Sequence, residues 1–89
     1  MSGPHVVIYT TPWCGFCSRA RRLLERKGVG FEEIDVTDPA ARAAMRERTG
    51  GPNSVPQIFI GERHVGGCDE LYALEAGGSL EPLLAGEAS

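Results

Sequence analysis

The chain has no excess of positive charge: 12 acidic residues against 9 basic ones leave a formal net charge of -3. Nucleic acids and anionic membrane surfaces both select a basic footprint, so neither is expected as a partner. The basic residues present are bunched, with Arg19, Arg21, Arg22, Arg26 and Lys27 in one run, whereas the stretch from Asp69 to Glu87 has acids and no Lys or Arg. That run reads first as the solvated face of a helix. A secretory signal is not expected, because Met1-Ser2-Gly3-Pro4-His5 has neither its charged nor its apolar region, and no apolar stretch approaches the ~20 residues that span a bilayer. Cysteine is scarce and odd in number, at three. A disulfide-stapled secreted domain is thereby disfavoured, and a reducing compartment with a working thiol pair is favoured, so a cytoplasmic location is expected. Repeats and internal linkers are absent too.

What is present suits one globular domain over residues 1–89, with a core from about residue 5 to 84: 42% of residues are hydrophobic and 24% charged. His5-Val6-Val7-Ile8-Tyr9 reads as a buried strand, punctuated by Thr10-Thr11-Pro12. From about Gly15 to Lys27, Ala20, Leu23 and Leu24 recur at helical spacing, and Gly28 stops the helix. Phe31 to Val36 alternates apolar residues with acids and reads as a second strand. Asp38 is placed to cap a helix with Pro39 at its first position, running through Arg48 to the Gly50-Gly51-Pro52-Asn53 break. Gln57-Ile58-Phe59-Ile60 and His64-Val65 flank a Gly61 turn, as in a hairpin. A last helix is expected from about Cys68 to Ala76, ended by Gly77-Gly78. The order predicts an α/β fold with a four-stranded mixed sheet (β-α-β-α-β-β-α) flanked by helices, its first strand-helix-strand unit a right-handed parallel crossover. The first four residues and the tail after Leu84 are expected to fray.

The chemistry-bearing motif is Cys14-Gly15-Phe16-Cys17, at the junction of the first strand and first helix. Helical spacing puts the two cysteines on one face, ~5 to 6 Å apart, within the ~4.4 to 6.8 Å that a disulfide spans. Cys14 falls at the helix N-terminus, where free backbone N–H groups and the macrodipole favour a negative charge. CxxC thiols at such positions titrate at roughly 3.5 to 7.5 rather than about 8.5, so Cys14 is expected to be the nucleophile. Cys17, one turn inside, is expected to resolve a mixed disulfide formed on Cys14. The competing reading is half of a zinc site completed by His64 and Cys68, although compact zinc modules separate their halves by much less chain.

With Ile8-Tyr9-Thr10, Cys14-Gly15-Phe16-Cys17, Ser54-Val55-Pro56-Gln57-Ile58-Phe59-Ile60 and Gly66-Gly67-Cys68-Asp69-Glu70-Leu71 in view, the chain resembles the bacterial class I (dithiol) glutaredoxins from Val6 to about Leu84. The resemblance implies a thioredoxin-like fold and reduction of protein disulfides and glutathione mixed disulfides, with glutathione as reductant. It implies that Val55-Pro56 is cis, although the sequence alone assigns trans. It further implies that Gly67, Cys68 and Asp69 hold the γ-glutamyl end of glutathione, that Val55 pairs with its cysteinyl backbone, and that Gln57 helps at its glycine end. Thr11, Phe16 and Pro56 belong to the same binding set. Residue chemistry supports part of this: Gly66-Gly67 before a helix lets backbone N–H groups approach a carboxylate, and Asp69 can meet an ammonium group, while a plain helix-start charge explains Asp69 equally. Proline at 56 removes a backbone donor beside the sulfur and leaves Val55 free to pair with an extended segment. Cys68 reads as a small semi-buried residue, with secondary oxidation as the alternative.

Two departures from the family pattern stand out. Many members carry a lysine shortly before the first cysteine to meet glutathione's glycine carboxylate, but here the stretch is Thr10-Thr11-Pro12-Trp13. Arg46 or Arg48 would have to supply the charge. Gly15-Phe16 also replaces the common Pro-Tyr, which should make the loop more adaptable and the helix start costlier to order. Relatives with a small residue there include some that dimerise around a [2Fe-2S] cluster, held by one Cys14 thiolate per protomer and two glutathione thiols. The expected partners are therefore glutathione and disulfide-bearing or glutathionylated proteins, with the chain a monomer, or a dimer when cluster-bound. An iron-sulfur carrier or sensor is the main alternative function. A redoxin driven by thioredoxin reductase is disfavoured by the look of residues 66–69.

Overall fold

The structure is a computed structural model and describes residues 4–86. Its first strand, β1 (Val6–Thr10), is buried along its whole length. Such a run needs covering layers on both faces of the sheet, and alternate side chains divide between them. Val6 and Ile8 join Ile58 and Ile60 in one core, with Ala20, Leu23, Leu24, Leu71, Leu80, Leu83 and Leu84. Val7 and Tyr9 join Phe59, Val36 and Met45 in the other.

The elements follow as α1 (Gly15–Arg26), β2 (Glu32–Asp35), α2 (Pro39–Thr49), β3 (Gln57–Ile60), β4 (Arg63–Gly66), α3 (Cys68–Ala76) and α4 (Leu80–Leu84). The sheet order is β2-β1-β3-β4. β1 pairs parallel with β2 and antiparallel with β3, and β3 pairs antiparallel with β4. This is the expected four-stranded mixed sheet flanked by helices. Asp38 caps α2 through its side chain, which accepts from the Ala41 N–H at 3.0 Å. Gly50 closes α2 with φ +82°, and Gly61 turns the hairpin with φ +62°; both conformations are open to glycine at little steric cost.

The strand boundaries differ modestly from those read in the sequence. β2 is shorter than 31–36, with Phe31 and Val36 outside it, since an edge strand of alternating acids has one partner only. β4 is longer than His64-Val65. The added helix α4 has five residues, too few for a periodic signal, and its Leu80, Leu83 and Leu84 close one core. Of the residues expected to fray, 1–3 and 87–89 lie outside the described residues, whereas Ala85 and Gly86 extend the last helical turn, their N–H groups donating to the Glu81 and Leu83 carbonyls at 2.9 and 3.1 Å. Among the described residues, no helix is long and apolar enough to cross a membrane.

Candidate functional site

Three segments distant in sequence meet at one end of the sheet: the β1–α1 junction, the loop before β3, and the β4–α3 junction. At the first, the Cys14 N–H donates to the Thr11 carbonyl at 3.4 Å, and Cys14 takes the N-cap of α1 with an extended backbone. Its sulfur occupies the place of a capping oxygen and accepts the Cys17 N–H at 3.1 Å. A backbone donor at the positive end of a helix, aimed at the sulfur, favours negative charge there. As a thiol, Cys14 instead donates to the Val55 carbonyl across 3.7 Å. The Cys14 side is half-buried, while Cys17 has no exposure at all.

Burial is the main reason that the Cys17 thiol is pushed up to about 12, and its contact with the Cys14 sulfur adds to the shift; the Thr11 backbone and Arg21 pull the other way. Cys17 is thus held as a protonated thiol beside its partner. Both are free thiols in this structure, as is Cys68. Trp13 is 82% exposed and Phe16 is 56% exposed, at the rim. The Arg19 guanidinium lies 6.0 Å from the Phe16 ring centre and 5.3 Å from that of Tyr72.

A groove of about 150 Å³ is lined by Phe16, Ser54, Val55, Pro56, Gly67, Cys68, Asp69 and Glu70. It gathers most of the residues expected to hold glutathione. The Val55-Pro56 bond is cis. Burial raises the Cys68 thiol above its ordinary range, with Arg19 opposing. Glu70 reaches back to the start of α3, where its Oε1 accepts the Gly67 N–H at 2.8 Å, one half of a capping box. Gly66 has φ +115°, and a Cβ there would stand 3.0 Å from Glu70 Cγ, so the approach of these two segments requires glycine.

Thr11 and Gln57 do not line this groove. Gln57 is buried, with its amide committed at both ends: Nε2 donates to the Ser54 carbonyl at 3.0 Å and to Ser54 Oγ at 3.2 Å, while Oε1 lies 2.6 Å from His64 Nε2. His64 also stacks on Phe59, with ring centres 4.7 Å apart. Arg48 lies 4.0 Å from the Phe59 ring centre and donates to the Tyr9 hydroxyl at 3.1 Å, and neither Arg46 nor Arg48 lines the groove. Ser54 and Glu70 line it without having been singled out by sequence. Glu70 carried a readable signal, an acid three residues after an N-cap glycine; Ser54 carried none beyond adjacency to Val55.

Comparison with known proteins adds the family context. The glutaredoxin family model matches residues 6–65. The chain is 56% identical over 81 residues to the glutaredoxin of Pseudomonas aeruginosa, covering 91% of this chain and 96% of that protein. Its fold is similar to the solution structure of a glutaredoxin from Brucella melitensis, with a TM-score of 0.83 and 56% identity over 96% of this chain and 92% of that one. It is also similar to a buckwheat glutaredoxin solved as a glutathione complex, with a TM-score of 0.82 and 33% identity over 91% of this chain and 76% of that one.

Proposed function

The chain belongs to the glutaredoxin family of thiol-disulfide oxidoreductases, and from that premise we propose that it reduces protein disulfides and glutathione mixed disulfides through Cys14 and Cys17, with glutathione as the reductant. The observation that carries this reading is the unequal treatment of the two sulfurs. Cys14 is half-buried and accepts a helix N–H, whereas Cys17 is fully buried and its thiol is raised.

With a glutathione mixed disulfide, the Cys14 thiolate attacks the glutathione sulfur, the old S–S bond breaks, and the target leaves as a thiolate. A glutathione thiolate then attacks the same sulfur, forms glutathione disulfide and restores the Cys14 thiolate. With a protein disulfide, Cys14 forms a mixed disulfide and releases one target thiolate. Cys17 then attacks Cys14 Sγ, its proton passing to the departing second thiolate, and two glutathione molecules reduce the resulting Cys14–Cys17 disulfide. The groove beside Cys14 would seat the tripeptide, with Val55 along its backbone and Gly67, Cys68 and Asp69 at its γ-glutamyl end; the buckwheat relative's glutathione complex supports that choice of ligand. An odd count of three cysteines, two of them spaced as a working pair, suits a reducing compartment such as the cytoplasm.

Turnover of a glutathionylated peptide, with glutathione recycled by its reductase, tests the reading; saturable turnover supports it, and reduction by thioredoxin reductase but not by glutathione overturns it. The [2Fe-2S] reading would draw on the same Cys14 sulfur from each of two copies. A Cβ at Gly15 would meet nothing within 4 Å, so the chain's own packing does not require glycine at this position. Visible absorbance after anaerobic purification with glutathione would separate the two functions.

A further inference from the structure

The loop between α2 and β3 belongs to no helix or strand, so its backbone carbonyls must find partners elsewhere. Four in succession do so through side chains. The Pro52 carbonyl lies 3.0 Å from Thr49 Oγ1, the Asn53 carbonyl accepts from Arg42 Nη2 at 2.9 Å, and the Ser54 carbonyl accepts from Gln57 Nε2 at 3.0 Å. The fourth, of Val55, faces Cys14 Sγ at 3.7 Å. The reactive sulfur therefore sits at the end of a row of contacts whose other three donors lie outside the groove.

Arg42 is the strongest member of that row. Besides its Nη2 bond, its Nε donates to Asn53 Oδ1 at 3.0 Å, so one guanidinium grips the main chain and the side chain of the same residue. Two donors in a rigid fork define position and angle together, which a single ammonium cannot do. The residue they hold comes just before Ser54 and Val55, which form one wall of the groove.

We propose that Arg42 is a positioning residue, which through Asn53 sets where Ser54 and Val55 stand relative to Cys14 and so sets the affinity of the groove for its substrate. It touches neither the sulfur nor the groove. The kinetic consequence rests on the glutathione reading above, and the structural one does not.

The test combines kinetics with spectra of the reduced, full chain, using a glutathionylated peptide. Arg42→Ala is expected to raise KM about fivefold with kcat within about twofold, as suits a lost charge-assisted contact that acts on binding. Asn53→Asp keeps the acceptor and should stay near the parent KM, Arg42→Lys should fall between, and Glu47→Ala on the same helix should change nothing. An Arg42 that served stability alone would lower Tm and the active fraction while leaving KM untouched, and that result overturns the proposal. In parallel, Arg42→Ala should shift or broaden the amide signals of Asn53, Ser54 and Val55 while those of α1 stay in place. If the parent chain shows no saturable turnover of the peptide, the glutathione reading fails and the spectra alone decide: shifts confined to the loop uphold the clamp, and unchanged loop signals overturn it.

Discussion

Cys14 and Cys17 share one helical turn, and the fold gives them opposite surroundings. The Cys14 sulfur accepts a backbone N–H at the start of α1, and the Cys17 sulfur is sealed beneath it. Division of labour follows. Cys14→Ser should abolish all exchange, whereas Cys17→Ser should keep removal of glutathione from mixed disulfides and lose direct reduction of protein disulfides. Equal losses in the two variants would reject these roles. A pH dependence follows from the buried thiol. In the unfolded chain such a thiol gives up its proton near 9.0, and in the folded chain burial makes Cys17 keep it to about 12. Between those values the folded state binds the extra proton, so this contribution to stability is complete below the lower value and is lost as pH climbs through the upper one. Denaturant titrations of the parent and Cys17→Ala at about pH 7 and about pH 10.5 should therefore show the parent losing more stability at the higher pH. An equal change in both would contradict the burial of this thiol.

At the scale of elements, β1 and the two helix starts do most to build the site. Ile8 is fully buried between β3 and the α1 side of the core, so Ile8→Ala should cost about 2 to 5 kcal/mol in a denaturant titration. Asp38→Ala removes one exposed cap bond of α2 and should cost about 1 kcal/mol. If the cap change proved the costlier of the two, the account of what holds the layers would be wrong. These elements were legible because their signals are local: a β-branched run for β1, Ala20, Leu23 and Leu24 at helical spacing for α1, and Asp38-Pro39 for α2. Helix α4 was not legible, because Leu80-Glu81-Pro82-Leu83-Leu84 spans little more than one turn and is held by burial of its leucines. β2 was read as 31–36 because Phe31 and Val36 continue the alternation; both fall outside the strand, although the Val36 N–H still donates to the Thr10 carbonyl at 2.9 Å.

Across the whole molecule, the chain brings residues 11–17, 54–56 and 67–70 to one end of the sheet. The motifs at those positions were legible as separate pieces, and their convergence was implied only by the family resemblance. Contacts between distant segments left no local trace. Gln57 illustrates this: the family resemblance implies a place for it at the glycine end of glutathione, and nothing local in the sequence shows that its amide also bonds Ser54 and His64. Arg42 looks like an ordinary helix-surface cation until Asn53 is seen against it. Lys27 is similar, joining the end of α1 to Glu75 of α3 at 2.7 Å and to Glu81 of α4 at 3.1 Å. Of the two carboxylates, Glu75 contributes more to raising the Lys27 ammonium above its ordinary range. The tie is therefore complete below the ordinary range and is lost only as pH rises beyond it, through the raised value of the folded state.

The central claim is that the sulfur at the start of α1 is the one that takes up glutathione. The most direct measurement is to mix reduced Cys17→Ser with a glutathionylated peptide, quench with acid and map the protein by mass spectrometry. The account predicts one glutathione in disulfide linkage to Cys14. A glutathione found on Cys68 instead, or no adduct at all, would contradict it.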